Sequence, residues 1–481
     1  MGPHPRKSLN ILSKSCDSQP SYSMEPPNLS HANDRAVERY RALTENADPN
    51  HSDSRRCLAD MACRSGACID ASPVGERNGF VSILSRCLDE AHVRAADVVA
   101  LEGLSAAETL MAMVAAWRVE AIPFPVPHGM PIPYCDFVVT AGPRVAPGNG
   151  MPDHRGLAQT AMLHLTSGST AHPRVVRRSV ASVLIEAAGY ERGLCLRRSD
   201  AVRVPVPVTH SFGSGVAVSS LLCGCHVLVD PVRIPSRLAA EVDAGGISTL
   251  VLTPPLARLV TETRPLGPPR LVTALVGAGT MTDELSRRFR ERFGISPTFG
   301  YGSTETGGTF IGLAGIGNPI DAIDIVEPAP GSAGELVLRL PSPLSGYVGE
   351  TPPSNREWRT GDLVDRTIGG VVHYVGRKAG PLRVNGRFVD IAPYEAALSA
   401  LPDVQAVAFL ALPGIVRPEI EELYAVAESR NLVAGQVIAV LDPLARSGVA
   451  CRAFIVEQLP RNEVGKLDRR ELVRMIRGGY T

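Results

Sequence analysis

The chain has no surplus of either charge: 49 lysines and arginines face 49 aspartates and glutamates, a formal net charge of +0. Without a bulk field of one sign, neither nucleic acid nor an anionic membrane is recruited by charge alone. There is no uninterrupted apolar run of the roughly 18 residues that a membrane-spanning helix needs. The most apolar region, 98–126, is broken by Glu102, Glu108, Arg118 and Glu120. The basic N-terminus is not followed by an apolar core, so it does not read as a secretory signal. Ten cysteines among 481 residues do not describe a disulfide scaffold. Cys57, Cys63 and Cys68 cluster at spacings that fit no common zinc pattern, and Cys223 and Cys225 read as buried thiols. No internal repeat is visible. The expectation is a cytoplasmic protein whose partners must be inferred from a site.

What is present is an ordinary globular composition, 44% hydrophobic and 20% charged, with mass for about three domains at roughly 150 residues each. Residues 1–55, rich in Ser, Pro and Asn, are expected to be a disordered tail, or to lie upstream of a true start at Met24 or Met61. Ordered structure is expected by Gly79. Apolar strand signals alternate with helical periodicity from Val98 to Phe293, which predicts an α/β core with largely parallel sheets. Short strands and turns follow from Gly334 to Gly376. The last hundred residues predict a small α+β unit, with a seam near 377–381 and a division into 1–55, 56–377 and 378–481.

The central motif is LTSGSTAHPRVV, Leu165 to Val176. Thr166, Ser167, Gly168, Ser169 and Thr170 expose backbone N–H groups and hydroxyls that can wrap polyphosphate, with Arg174 as counter-charge. The Walker spacing is missing. Four further pieces follow in order. Gly277, Ala278 and Gly279 follow a strand directly, where backbone groups can hold a base edge. In FGYGSTETGG, Tyr301 offers a face for a purine, Thr304 a hydroxyl for a phosphate, and Glu305 a hard oxygen for Mg²⁺. In WRTGDL, Asp362 can accept from both hydroxyls of a ribose, and Arg377 supplies a cation at the seam. In LPRNEVGKLDR, Lys466 stands beside a glycine in a candidate mobile loop. Each piece alone also suits a solvated turn.

Taken in this order, residues 163–469 resemble the adenylate-forming superfamily of acyl-CoA synthetases, peptide-synthetase adenylation domains and firefly luciferases, and look closest to acyl- and aryl-CoA synthetases. The resemblance implies a large N-terminal domain of two α/β subdomains plus a small β-barrel, and a small mobile α+β lid. It implies ATP, Mg²⁺ and coenzyme A, or the phosphopantetheine of a carrier protein, as cofactors. It implies Lys466, Thr304, Glu305 and Arg377 in catalysis, with Glu305 and Thr166 as metal ligands. Thr166 to Thr170, Arg174, Gly277 to Gly279, Tyr301, Gly302, Ser303 and Asp362 would bind ATP. His210, Phe212 and Gly307 would border the acid, and Ala379 would be the hinge.

The chain departs from that pattern at Ala171, Arg174, Val175, Ala379 and Pro393. Arg174 keeps the charge of the usual lysine but not its shape, and proline suits a first helical turn. No aspartate lies between Ala201 and Val229, where an amino-acid-activating enzyme would pair its substrate's ammonium, so a fatty or aromatic acid is favoured. Three readings stand: an acid–CoA ligase, a ligase loading an acyl carrier protein, and a nucleotide-binding protein without ligase activity.

Overall fold

The computed structural model describes residues 53–64, 66–76, 79–154, 156–166, 174–231, 234–267, 271–279, 281–377, 382–384, 387–389, 391–414, 421–462 and 467–478. Calls for Ser167 to Thr170, Ala379 and Lys466 lie outside these residues, as does most of the expected N-terminal tail.

The four-residue strands Val98–Leu101 and Thr249–Leu252 are apolar and buried along their whole length, as central strands of parallel sheets must be. The larger sheet contains six successive parallel strands: Thr298–Ser303, Thr273–Gly277, Thr249–Leu252, Ala201–Arg203, His226–Leu228 and Cys68–Ile69. Antiparallel strands finish both edges. A second sheet runs Ile122–Pro125, Val98–Leu101, Phe137–Thr140, Arg144–Pro147. Between the layers lies helix Ser211–Cys223, which buries Gly213 through Leu222 on all sides and is therefore uniformly small or apolar. These are the two α/β sheets expected. The expected small barrel is a four-stranded antiparallel sheet from Asp324–Glu327 to Val372–Arg377.

In the chain's last part, strands Ala406–Pro413, Glu421–Glu428 and Cys451–Val456 form one sheet beside helix Ala434–Arg446. Apolar clusters cover both of its faces. Pro393 occupies the first turn of helix Ala392–Ser399, as expected of it.

Among the elements that the sequence reading did not name, two bear on the site and the core. Helix Asp53–Arg64 begins inside the stretch expected to be tail. Its Arg55 is 1% exposed, and its guanidinium donates to the carbonyls of Glu120, Leu157, Ala158 and Thr160 at 2.8–3.2 Å. A buried arginine satisfied by distant carbonyls leaves no apolar period to read. The second is the hairpin of Thr160–Leu165 and Val175–Ser179, whose connection carries the Ser/Thr/Gly motif.

Candidate active site

The parallel strands of the large sheet end on one side of the molecule, and a broad cleft of about 1440 Å³ opens there. Ligands of open α/β sheets bind outside the carboxyl ends of the strands, where side chains and free backbone groups converge. Of the residues expected to bind nucleotide or metal, Thr166, Arg174, Ala278, Gly279, Tyr301, Gly302, Ser303, Thr304, Glu305 and Asp362 all line this cleft. They come from four elements, separated by nearly 200 residues of sequence, and the fold brings them to one surface.

Local backbone explains the glycines. Strand Thr298–Ser303 turns back into strand Gly307–Gly312 with a bulge between Tyr301 and Gly302. A Cβ on Gly302 would stand 2.1 Å from the carbonyl oxygen of Gly307, so only glycine fits. At the end of strand Thr273–Gly277 the chain turns through Ala278 at φ +60°, a left-handed conformation costly for alanine.

Tyr301 lines the cleft and is anchored at its hydroxyl. Its hydroxyl donates to Asp362 Oδ2 at 2.6 Å, and its ring meets Phe310 edge-on. The bond holds Asp362, which belongs to strand Glu357–Arg366 of the antiparallel sheet, against the large sheet. Across the ladder from Asp362 is Arg377, in backbone register with it.

Glu305 likewise has a partner: Tyr347 donates its hydroxyl to Oε1 at 2.7 Å. Burial, and then the Glu305 carboxylate, push the Tyr347 phenol above its ordinary range, so it stays a donor. The segment around Tyr347 adds itself to the hairpin: Arg177 N donates to Gly346 O at 2.9 Å, and Val348 N to Val175 O at 2.9 Å. This positions two side chains over Arg174. Its guanidinium lies 3.3 Å from the Tyr347 ring centroid, and its Nη2 alone donates to both carboxylate oxygens of Glu350 at 2.6 and 2.7 Å. Tyr347 and Glu350 were not singled out from sequence; their contacts lie 42 and 176 residues away, and no local pattern marks them.

Glu305 and Thr166 fit a hard divalent cation in donor type. The first is a carboxylate with one oxygen held by a phenol, and the second a hydroxyl that accepts from Arg174 N at 3.1 Å.

The expected acid-binding residues separate. His210 lines the cleft, but neither Phe212 nor Gly307 is among its lining residues. Phe212 packs on Gly277, where a Cβ would meet Cζ at 2.7 Å. Gly307, at φ +74°, lies against a buried ion pair: Arg178 Nη2 and Glu186 Oε2 are 2.9 Å apart, with side chains 2% and 4% exposed. Beside it His164, fully buried, is pushed down to about 3 by burial, Arg178 and His210, and so is neutral. Asn462 and Leu467, which bound the stretch containing Lys466, both line the cleft.

The family model for AMP-binding enzymes matches residues 141–348, which contain the Ser/Thr/Gly hairpin and the Tyr301–Glu305 turn. In signature and in fold, the chain is similar to the adenylate-forming superfamily. The structure of ATP-bound MatB from Rhodopseudomonas palustris matches 88% of this chain and 100% of its own, with a TM-score of 0.67 at 17% identity. Among curated proteins, 2-succinylbenzoate–CoA ligase of Geobacillus kaustophilus is 26% identical over 66% of the chain and 70% of its own length. The medium/long-chain-fatty-acid–CoA ligase FadD17 of Mycobacterium marinum is 30% identical over 53% of the chain and 55% of its own length. The chain thus spans about half of FadD17, and a quarter of one larger peptide-synthetase-like relative. No helix among the described residues is long and apolar enough to cross a membrane.

Proposed function

We propose that the chain activates a carboxylic acid with ATP and passes the acyl group to a thiol. The observation that carries this reading is the single cleft that gathers Thr166, Thr304, Glu305 and Asp362, with Asn462 and Leu467 at its border. A carboxylate acylates poorly because its oxygen is a poor leaving group. In the proposed first step a carboxylate oxygen attacks the α-phosphorus of ATP. The bond to pyrophosphate breaks, and an acyl adenylate forms. In the second step the sulfur of a thiolate attacks the acyl carbon, and AMP leaves with the oxygen that came from the acid.

Both reactants of the first step are anions, so cations and donors must converge. Asp362, fixed by Tyr301, would accept from the ribose hydroxyls, and Ala278 and Gly279 would border the adenine. Ser167 to Thr170 would hold the terminal phosphates and Thr304 the α-phosphate. The ion pair of Arg174 with Glu350 is exposed and costs little to exchange for a phosphate. Arg377 and Lys466 would neutralise the reacting groups. Thr166 and Glu305 would hold Mg²⁺, whose charge offsets that of the phosphates and makes pyrophosphate a better leaving group.

Coenzyme A is the first choice of thiol, because both curated relatives above are named as CoA ligases. A second reading, transfer to a carrier protein's phosphopantetheine, is favoured by a relative named salicyl-AMP ligase / salicyl-S-ArCP synthetase. The substrate would be a fatty or aromatic acid.

ATP–pyrophosphate exchange over an acid panel, followed by addition of CoA or a phosphopantetheinylated carrier protein, tests the reading. Lys466→Ala should abolish exchange yet still convert supplied acyl adenylate and thiol to thioester. Equal loss of both half-reactions would remove Lys466 from its role, and ATP binding without exchange for any acid would remove the ligase.

A further inference from the structure

We infer that the acid pocket of this chain stops at Phe212 and the Arg178–Glu186 pair, so that the substrate is a short-chain or single-ring carboxylic acid. The inference rests on the activation reading above and specifies its substrate. An acid whose carboxylate meets ATP beside Thr304 must send its tail past His210, the one expected acid-binding residue that lines the cleft. Behind His210 the interior is filled.

Four glycines report how tightly. A methyl-sized probe on Gly277 would stand 2.7 Å from Phe212 Cζ, and one on Gly215 would stand 2.4 Å from Glu186 Oε1. On Gly307 it would meet both terminal nitrogens of Arg178 at 2.5 Å, and on Gly308 the Tyr190 hydroxyl at 2.6 Å. Real Cβ atoms do not approach so closely, so helix Ser211–Cys223, helix Val180–Gly193 and the two glycine-bearing strands are closely packed at these four points. The cavity beside Glu186, Glu305 and Gly308 measures about 40 Å³, room for a few waters on the scale of roughly 10–15 Å³ each.

The plug does not swing aside easily. Arg178 donates to Glu186 Oε2 at 2.9 Å and to Ser182 Oγ at 3.0 Å, and Glu186 Oε1 accepts from Gly308 N at 2.7 Å. Displacing either partner would strand a buried charge. A small acid needs none of this space.

The test is ATP–pyrophosphate exchange by the full chain with acetate, butanoate, hexanoate, dodecanoate, hexadecanoate and benzoate at equal concentration, repeated with Phe212→Ala and the milder Phe212→Leu. The parent should work best on one of the four small acids, with exchange on the two longest lower by roughly tenfold or more, a ratio within reach of a few mismatched methylenes. Opening the pocket in at least one folded Phe212 variant should narrow that ratio by about fivefold. Dodecanoate or hexadecanoate as the parent's best substrate, or a ratio unmoved in both variants, would overturn the inference and leave acid activation standing. No exchange with any acid would instead overturn the activation reading, and this inference with it.

Discussion

Glu186 accepts from two elements at once, the guanidinium of Arg178 and the backbone N–H of Gly308. Both members of the pair are nearly fully buried, where the desolvation of two charges is offset only while the geometry holds. Glu186→Ala leaves Arg178 uncompensated and Gly308 N without its acceptor. We expect stability to fall by about 3–5 kcal/mol, the range for removing one partner of a buried pair. The double variant Arg178→Met, Glu186→Leu should recover most of that loss, because apolar groups of similar volume carry no desolvation cost. Chemical denaturation of the two variants beside the parent checks both numbers. A double variant no more stable than the single would mean that packing, not charge, holds these helices and strands together.

At the scale of elements, the hairpin Thr160–Leu165 with Val175–Ser179 is joined by the 346–350 segment, which pairs with its second strand and carries Tyr347 across to Glu305. Tyr347→Phe keeps the ring under Arg174 and deletes only the hydroxyl that fixes Glu305. One hydrogen bond to a charged group contributes about 1.5–3 kcal/mol. Where that fixes a metal-binding carboxylate, adenylation should slow by roughly tenfold or more, while the melting temperature moves little because the site is half open to water. Exchange rates measured against Mg²⁺ concentration would check it. A variant with parental rates at every Mg²⁺ level would exclude Tyr347 as the positioner of Glu305.

The same scale shows what was readable in the chain. Strands Val98–Leu101 and Thr249–Leu252, and helix Asp283–Phe293, have the bounds that sequence predicts. Their apolar periods are local signals, and in the structure Thr282 caps the helix by accepting from Leu285 N. The strand Val175–Ser179 carries no alternating apolar signal, since Arg177 and Arg178 are charged yet 2–3% exposed. The residues that line the cleft were legible because their motifs are short and contiguous. The plug behind His210 was not, since it joins residues 178, 186, 277 and 307 through contacts that only the fold creates. Tyr347 and Glu350 were hidden for the same reason.

On the scale of the whole molecule, the cleft is bordered by the large sheet, by the antiparallel sheet through Asp362 and by the C-terminal unit through Asn462 and Leu467. That arrangement suits a reaction in which several parts of the chain must bring cations and donors to one phosphorus atom. The most direct measurement follows the acid's own oxygen. The full chain is supplied with ATP, Mg²⁺, CoA and an acid bearing ¹⁸O in its carboxylate, and the products are separated and weighed by mass spectrometry. If the carboxylate attacks the α-phosphorus and the thiol then cleaves the acyl–oxygen bond, AMP carries one labelled oxygen and pyrophosphate carries none. Label in inorganic phosphate with ADP as the partner product, or thioester formed with unlabelled AMP, would contradict the account.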